Sequence, residues 1–468
     1  MRGRIRSAVA LLAERLTALP VLRQDALLYL CSALFCAGVA VVAVTADYRL
    51  WAEIAGGPYL LAALGSEAVL RRRRRRAEPG EVAGAAGDVA GRATSFRRGL
   101  VLSVFALAVV LPLGIQVTWR AEAPGPRTNP HRAMAQPEVA VIERAGDRFA
   151  HFQDPYLAHP RTVGVSPSND SKQVNATSFF PYLPGMVVFG LSNPAPLPKP
   201  FTDARVLLAG FSALVVALAL FLVPATSRRK WRALQFLLVL PTGALPIVTG
   251  GDDLPVLALL FLGLVLVRRR QPVWAGVAMG LAAILKWTAW PLVLLAFLAV
   301  RDEEDRPAML RYSLAVVVIV VPVLGAAVAL SPHAFFENVV LFPLGLTKVH
   351  SPAASPLPGQ AIVQLLPSLK RPLTVALVGA GALLVLVFLW RHPPRTAYEA
   401  AHFAGWALAF AIFIAPATRF GYFIYPANML VWAYLLHEVP DGTKRLPALL
   451  EVIERVPLEK GQLASPTW

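Results

Sequence analysis

Runs of about twenty apolar residues recur along this chain, and most are closed on one side by arginine or lysine. A segment that long with few charges crosses a bilayer as a helix, because only a helix or a closed barrel satisfies its own backbone polar groups in lipid. The basic runs, Arg71 to Arg76, Arg228 to Arg232, Arg268 to Arg270 and Arg301 to Arg306, fall after alternate spans. Basic residues stay on the cytoplasmic side, so the alternation sets the sense of each crossing. Spans are expected at about 24–46, 50–70, 98–118, 204–224, 233–249, 254–267, 310–330, 372–390, 397–417 and 420–437. Two shorter pieces, 274–286 and 287–300, turn at Lys286. The expected fold is an all-α, polytopic membrane protein of about 12 transmembrane helices with both termini cytoplasmic.

Composition narrows the function classes. With 56% hydrophobic and 16% charged residues, a soluble fold is excluded. The net charge of +17 belongs to the short basic runs beside apolar spans, so no nucleic-acid partner is implied. Both cysteines, Cys31 and Cys36, lie in the first span, which argues against a disulfide framework or a cysteine metal site. No metal or cofactor is called for. The chain divides into a basic N-terminal segment with a transmembrane hairpin (1–76), a Gly, Ala and Glu rich cytoplasmic linker (77–97), a main transmembrane domain (98–437) and a cytoplasmic tail (438–468).

The one long polar interval, 120–203, falls on the outer side. Within it Pro137 to Tyr156 fits a helix that opens with Pro137 and a first-turn carboxylate, Glu138, both favoured at a helix start. Helical phase puts Ile142, Ala145, Phe149 and Phe152 on one stripe with Glu138 among them, and Glu143, Arg144, Asp147, Arg148 and His151 on other faces. Glu138 is thereby expected to point inward and its charged neighbours to meet water. Phe179 to Leu191 is too short to cross and reads as a juxtamembrane or re-entrant element.

The same topology sends Asp252, Asp253, Lys286, Lys348, His350 and Arg419 to the outer side with Glu138. Lys286 and Arg419 lie where the positive-inside rule disfavours them, which points to a specific anion as their partner.

Several motifs resemble glycosyltransferase family 87, polyprenol-phosphate-sugar-dependent enzymes of the GT-C class. Glu138-Val139-Ala140-Val141-Ile142 stands where that family commonly has Asp-Leu-x-Val-Tyr, and Asp154-Pro155-Tyr156 follows in the same loop. The Gly251 to Pro291 stretch, with its Gly-Leu-Ala-Ala-x-x-Lys run ending at Lys286, is the most specific match. Ala417 to Tyr422 followed by Tyr425-Pro426 is similar to the family's last outer turn. The resemblance covers about 98–437. It implies a base at Glu138; together with the outer-side placement of the charges, a donor phosphate is expected on Lys286 and Arg419, and sugar or acceptor contacts from Asp252, Asp253, Asp154, Tyr156, Tyr182, Lys348, His350 and Tyr422. It also implies an inverting transfer of a sugar, mannose first, from a polyprenyl phosphate to a glycolipid or cell-wall glycan acceptor, within the lipid bilayer of the cell membrane. The competing reading is a polyprenol-linked lipid flippase or secondary transporter, which inverted repeats would support and the outer gathering of charges does not.

Overall fold

The computed structural model describes residues 19–76, 83–122, 134–157, 177–303, 306–344, 347, 355–415 and 418–437. Lys348 and His350 lie outside the described residues, as does the tail after His437. Every regular element among the described residues is helical. Seven helices are long and apolar enough to cross a membrane: Val21–Val42, Thr94–Glu122, Ala204–Leu222, Ser227–Thr249, Arg306–Leu330, Pro372–Arg391 and Ala397–Ile414. Four shorter apolar helices, Leu254–Arg268, Pro272–Ala283, Trp287–Arg301 and Phe420–Leu436, lie between or after them.

In chain order the hairpin is α1 (Val21–Val42) and α2 (Ala46–Arg76). A rod follows, α3 (Ala83–Phe105), a π-helical turn at Ala106–Val110 and α4 (Leu111–Glu122). Helix α3 thus begins inside the stretch expected to be a linker. Its first eleven residues hold five alanines, which favour a helix, and three glycines, which oppose it, with no apolar period to mark one in the sequence. Then come α5 (Pro137–Ala150), a 3₁₀ segment Pro184–Gly190, α6 (Ala204–Leu222), α7 (Ser227–Leu234) continued by a π turn into α8 (Pro241–Thr249), α9 (Leu254–Arg268) and α10 (Pro272–Ala283). The rest is α11 (Trp290–Glu303), α12 (Arg306–Leu330), α13 (Pro332–Phe336), α14 (Pro358–Leu365), α15 (Lys370–Arg391), α16 (Ala397–Ile414) and α17 (Ile424–Leu436).

Helix α9 is the central post: every residue from Leu254 to Val267 is buried. Helices α12 and α15 are mostly exposed and apolar, as lipid-facing helices must be. The hairpin shares the main core, with Trp51 donating to the Ala108 carbonyl at 3.0 Å and Tyr59 to that of Val239 at 2.5 Å.

Each end of the bundle holds a buried ion network. At the arginine-rich end, Asp25 of α1 accepts from Arg97 at 2.7 Å and from Arg232 at 2.5 Å, and Gln235 bridges to Tyr29 at 3.0 Å. At the opposite end, Arg120 grips Glu143 with both terminal nitrogens at 2.8 and 2.7 Å and reaches Asp203 at 2.7 Å. Arg205 holds the other side of Asp203 at 3.0 and 2.9 Å, and Glu143 also accepts the Ala204 amide at 3.1 Å. Two cations facing two carboxylates leave no net charge, which is what allows the group to be buried. The network fixes α5 to the last turn of α4 and the first turn of α6.

Ile142 and Ala145 of the expected inward stripe of α5 are buried, and the expectation is corrected at three other positions. Glu143, expected in water, is 4% exposed because Arg120 pairs with it. Phe149 and Phe152, expected on the inward stripe, are exposed. The helix stops at Ala150, and Phe152 adopts a left-handed backbone, φ 57°, just past its end. Pro155 also disfavours helical geometry at Asp154.

Candidate functional site

The end of the bundle that carries α5 gathers five ionisable side chains from four parts of the chain. Helix α5 is placed by its start. The Gln136 amide donates to the Thr249 carbonyl at 2.9 Å, and its side chain contacts the Tyr48 hydroxyl and Thr249 Oγ1, at 2.5 and 3.0 Å. Glu138 follows in the first turn, part-buried, and its Oε1 accepts from Arg419 at 2.8 Å. The inward placement expected for Glu138 is therefore present, on a helix whose later turns differ from expectation.

Arg419 lies on an extended residue between α16 and the 3₁₀ turn Phe420–Phe423. Ser355, just before α14, holds both flanks: its amide donates to the Thr418 carbonyl at 2.8 Å and its hydroxyl accepts the Phe420 amide at 3.1 Å. Burial opposes the Arg419 charge, but Glu138, Tyr422 and Tyr182 outweigh it and hold the guanidinium above its usual range.

The second cluster is built on two turns. Helix α8 ends at Gly250, whose φ of 101° lets the amides of Gly250 and Gly251 both donate to the Pro246 carbonyl, at 3.0 and 2.6 Å. A side chain at Gly250 would meet Val139 of α5 at 2.2 Å, so the turn and α5 approach only through glycine. Asp252 and Asp253 come next. Lys286 stands on the extended residue after α10, the turn expected from the sequence, and its ammonium binds Asp252 at 2.8 Å and also Asp253. Tyr425 donates to Asp253 at 2.7 Å and pairs with Thr288 at 2.8 Å. Burial, opposed by Lys286 and aided by Asp252, holds the Asp253 carboxyl above the ordinary carboxylate range.

Tyr182 joins the clusters. The Lys286 ammonium sits 5.2 Å from the centre of its ring, within cation–π range. Burial first, then the carboxylates of Asp252 and Glu138, push its hydroxyl well above the usual phenol value. The Leu183 and Gly185 amides donate to the Leu285 and Ile284 carbonyls at 3.0 and 2.9 Å, which docks the Tyr182 segment against the end of α10. That segment does not cross the bundle, as its length implied. Tyr422 lies within electrostatic reach of Arg419, Lys286 and both aspartates.

Of the residues singled out in the sequence, Glu138, Arg419, Asp252, Asp253, Lys286, Tyr182 and Tyr422 come together. Asp154 and Tyr156 stand one step back: an Asp154 oxygen accepts the Tyr156 amide at 2.8 Å, and the Tyr156 hydroxyl donates to the Tyr182 carbonyl. Tyr48, Thr288 and Tyr425 were not foreseen. Tyr425 could have been found from its place in the Tyr425-Pro426 motif; Tyr48 carried no signal, being far from every other site residue in sequence. The anions facing Lys286 and Arg419 in this structure are the protein's own carboxylates. The net charge of the five groups is one negative, from three carboxylates and two cations.

Chemically, the site offers a carboxylate able to accept a proton, a guanidinium able to meet an oxyanion, and carboxylate and phenol oxygens able to hydrogen-bond hydroxyl groups. Residues 180–416, just over half of the chain, match the model of glycosyltransferase family 87. No curated protein and no solved structure matches. The matched interval contains Tyr182, Asp252, Asp253 and Lys286, while Glu138, Arg419 and Tyr422 lie outside it.

Proposed function

The chain belongs to glycosyltransferase family 87 and is a membrane glycosyltransferase, and from that premise we propose that it transfers a sugar from a polyprenyl phosphate to an envelope acceptor at the outer face. The lipid tail of such a donor stays in the bilayer while its sugar phosphate reaches the site. An acceptor hydroxyl attacks the anomeric carbon, the bond from that carbon to the phosphate oxygen breaks, and polyprenyl phosphate leaves with the electron pair. Glu138 takes the hydroxyl proton, and one displacement with one base inverts the anomeric centre.

The observation that carries this reading is the Glu138–Arg419 contact at 2.8 Å, a base and an oxyanion-binding cation on one wall of the site. Arg419 stabilises the charge that grows on the leaving phosphate, more in the transition state than before it. Lys286 lies between two carboxylates, and that trio carries one net negative charge. Arg419 is therefore the better phosphate partner, and Asp252, Asp253, Tyr182 and Tyr422 are assigned to sugar and acceptor hydroxyls. Mannose is the first sugar to try. The four shorter helices and α2 count as further crossings, giving twelve, with both termini cytoplasmic.

The test is transfer by the purified full chain from polyprenyl-phosphate mannose and, in parallel, glucose and arabinose donors. Glu138→Gln should abolish turnover with every donor that the wild type uses. A fully active Glu138→Gln would end the assignment of the base. Orientation is checked separately by cysteines at exposed positions 153 and 270 in a chain with Cys31 and Cys36 replaced: the first should label only from outside, the second only from the cytoplasm.

A further inference from the structure

We propose that the Glu138–Arg419 ion pair is a resting arrangement, and that the phosphate of the lipid-linked donor binds Arg419 in the place Glu138 now holds, releasing Glu138 to act. This rests on the reading above, in which the two residues serve opposite ends of one displacement.

Geometry requires the exchange. In an in-line attack, the carboxylate is hydrogen-bonded to the incoming hydroxyl, that oxygen approaches the anomeric carbon from one side, and the phosphate departs on the other. With a hydrogen bond of about 2.8 Å at each end and a near-attack approach of about 3 Å, the base and the phosphate-binding cation stand on the order of 8 Å apart. They touch at 2.8 Å here. The oxygen and nitrogen now in contact cannot serve both ends of that line, so substrate takes over one of the partners.

The surroundings show which one. Arg419 is fixed through its neighbours, because Ser355 bonds to the backbone on both sides of it. Glu138 has no second side-chain partner among its described contacts, and its side chain is 23% exposed. It is also on the first turn of α5, where a carboxylate is stabilised by the helix dipole whether or not Arg419 is near. Swinging Glu138 away therefore loses one charge contact, and the incoming phosphate replaces that contact on Arg419 with another anion. Without donor, the pairing keeps the base occupied and so ties proton abstraction to donor occupancy.

The distinguishing measurement is binding of sugar-free polyprenyl phosphate to the detergent-solubilised full chain. If Glu138 competes for Arg419, its neutralisation strengthens binding: Glu138→Gln and Glu138→Ala should each bind roughly three- to fivefold more tightly than wild type, the range expected from a partly exposed ion pair. In an Arg419→Gln background the gain should vanish. Unchanged or weaker binding by the Glu138 variants, or a gain that survives without Arg419, overturns the proposal. Two substitutions at Glu138 guard against one failing to fold, which a melting curve reports. Catalysis answers a different question: inactive Glu138→Gln with unaltered lipid affinity would keep the base and remove the exchange, whereas active Glu138→Gln would remove the base whatever its affinity.

Discussion

The Tyr156 hydroxyl donates to the backbone carbonyl of Tyr182 across 2.9 Å, and both residues are buried. The bond links the Asp-Pro-Tyr turn to the segment whose ring faces Lys286, with the Tyr156 ring packed edge-on against Phe180 and Phe335. Tyr156 thus acts on the site through Tyr182.

Tyr156→Phe keeps the ring packing and leaves a buried carbonyl without its partner, at a cost of about 1–3 kcal/mol. The variant should melt lower than wild type and retain part of its turnover, with the donor KM raised more than kcat is lowered. Melting curves and donor titrations check this.

Gly146 of α5 and Gly190 of the 3₁₀ segment cross with their backbones in contact. A side-chain carbon on Gly146 would fall 2.1 Å from the Gly190 carbonyl carbon, and one on Gly190 would fall 2.0 Å from the Ile142 oxygen. Gly146→Ala should destabilise by about 1–3 kcal/mol or more and shift α5, lowering activity through Glu138. Gly210→Ala, which meets nothing within 4 Å, should be neutral or slightly stabilising. Folded yield and transfer rate of the two variants give the comparison.

Lys286→Met leaves Asp252 and Asp253 without their counter-charge, and breaking such a buried pair costs about 3–5 kcal/mol. Burial already raises the Asp253 pKa against the pull of Lys286, and loss of the ammonium raises it further. A carboxyl with a higher pKa folded than unfolded stabilises the fold when protonated, below its unfolded pKa, and that contribution is lost as pH rises through the folded value. Lys286→Met should therefore melt higher at about pH 5 than at about pH 8, a slope that the wild type shows less of. Adding Asp253→Asn should recover part of the stability and flatten the slope. Melting temperature against pH for the three chains decides it.

The sequence made the spans legible because lipid imposes one simple rule on apolar length, and the turn at Lys286 because two short apolar runs meet at that charged residue. Glu138 was legible through helical phase. Glu143 was not: its burial depends on Arg120, 23 residues earlier, and on Arg205 balancing Asp203, and no periodic pattern records a pairing between distant charges. Phe149 and Phe152 failed for a related reason, since period places side chains on a face but does not say where the protein beneath that face ends. The neutralisation of Lys286 by both aspartates was likewise hidden, although all three residues had been singled out separately.

The network at the arginine-rich end bears on how small a working enzyme can be. Asp25 supplies the only carboxylate among the described contacts of Arg97 and Arg232, and it comes from a hairpin far upstream of residues 180–416. Glu138 and Arg120 also precede that interval. A polypeptide trimmed to the shared family region would retain Arg232 without its counter-ion and Arg205 and Asp203 without Arg120. The hairpin therefore sets a lower limit on truncation, and chimaeras that exchange donor or acceptor specificity with relatives should carry both ion networks across intact.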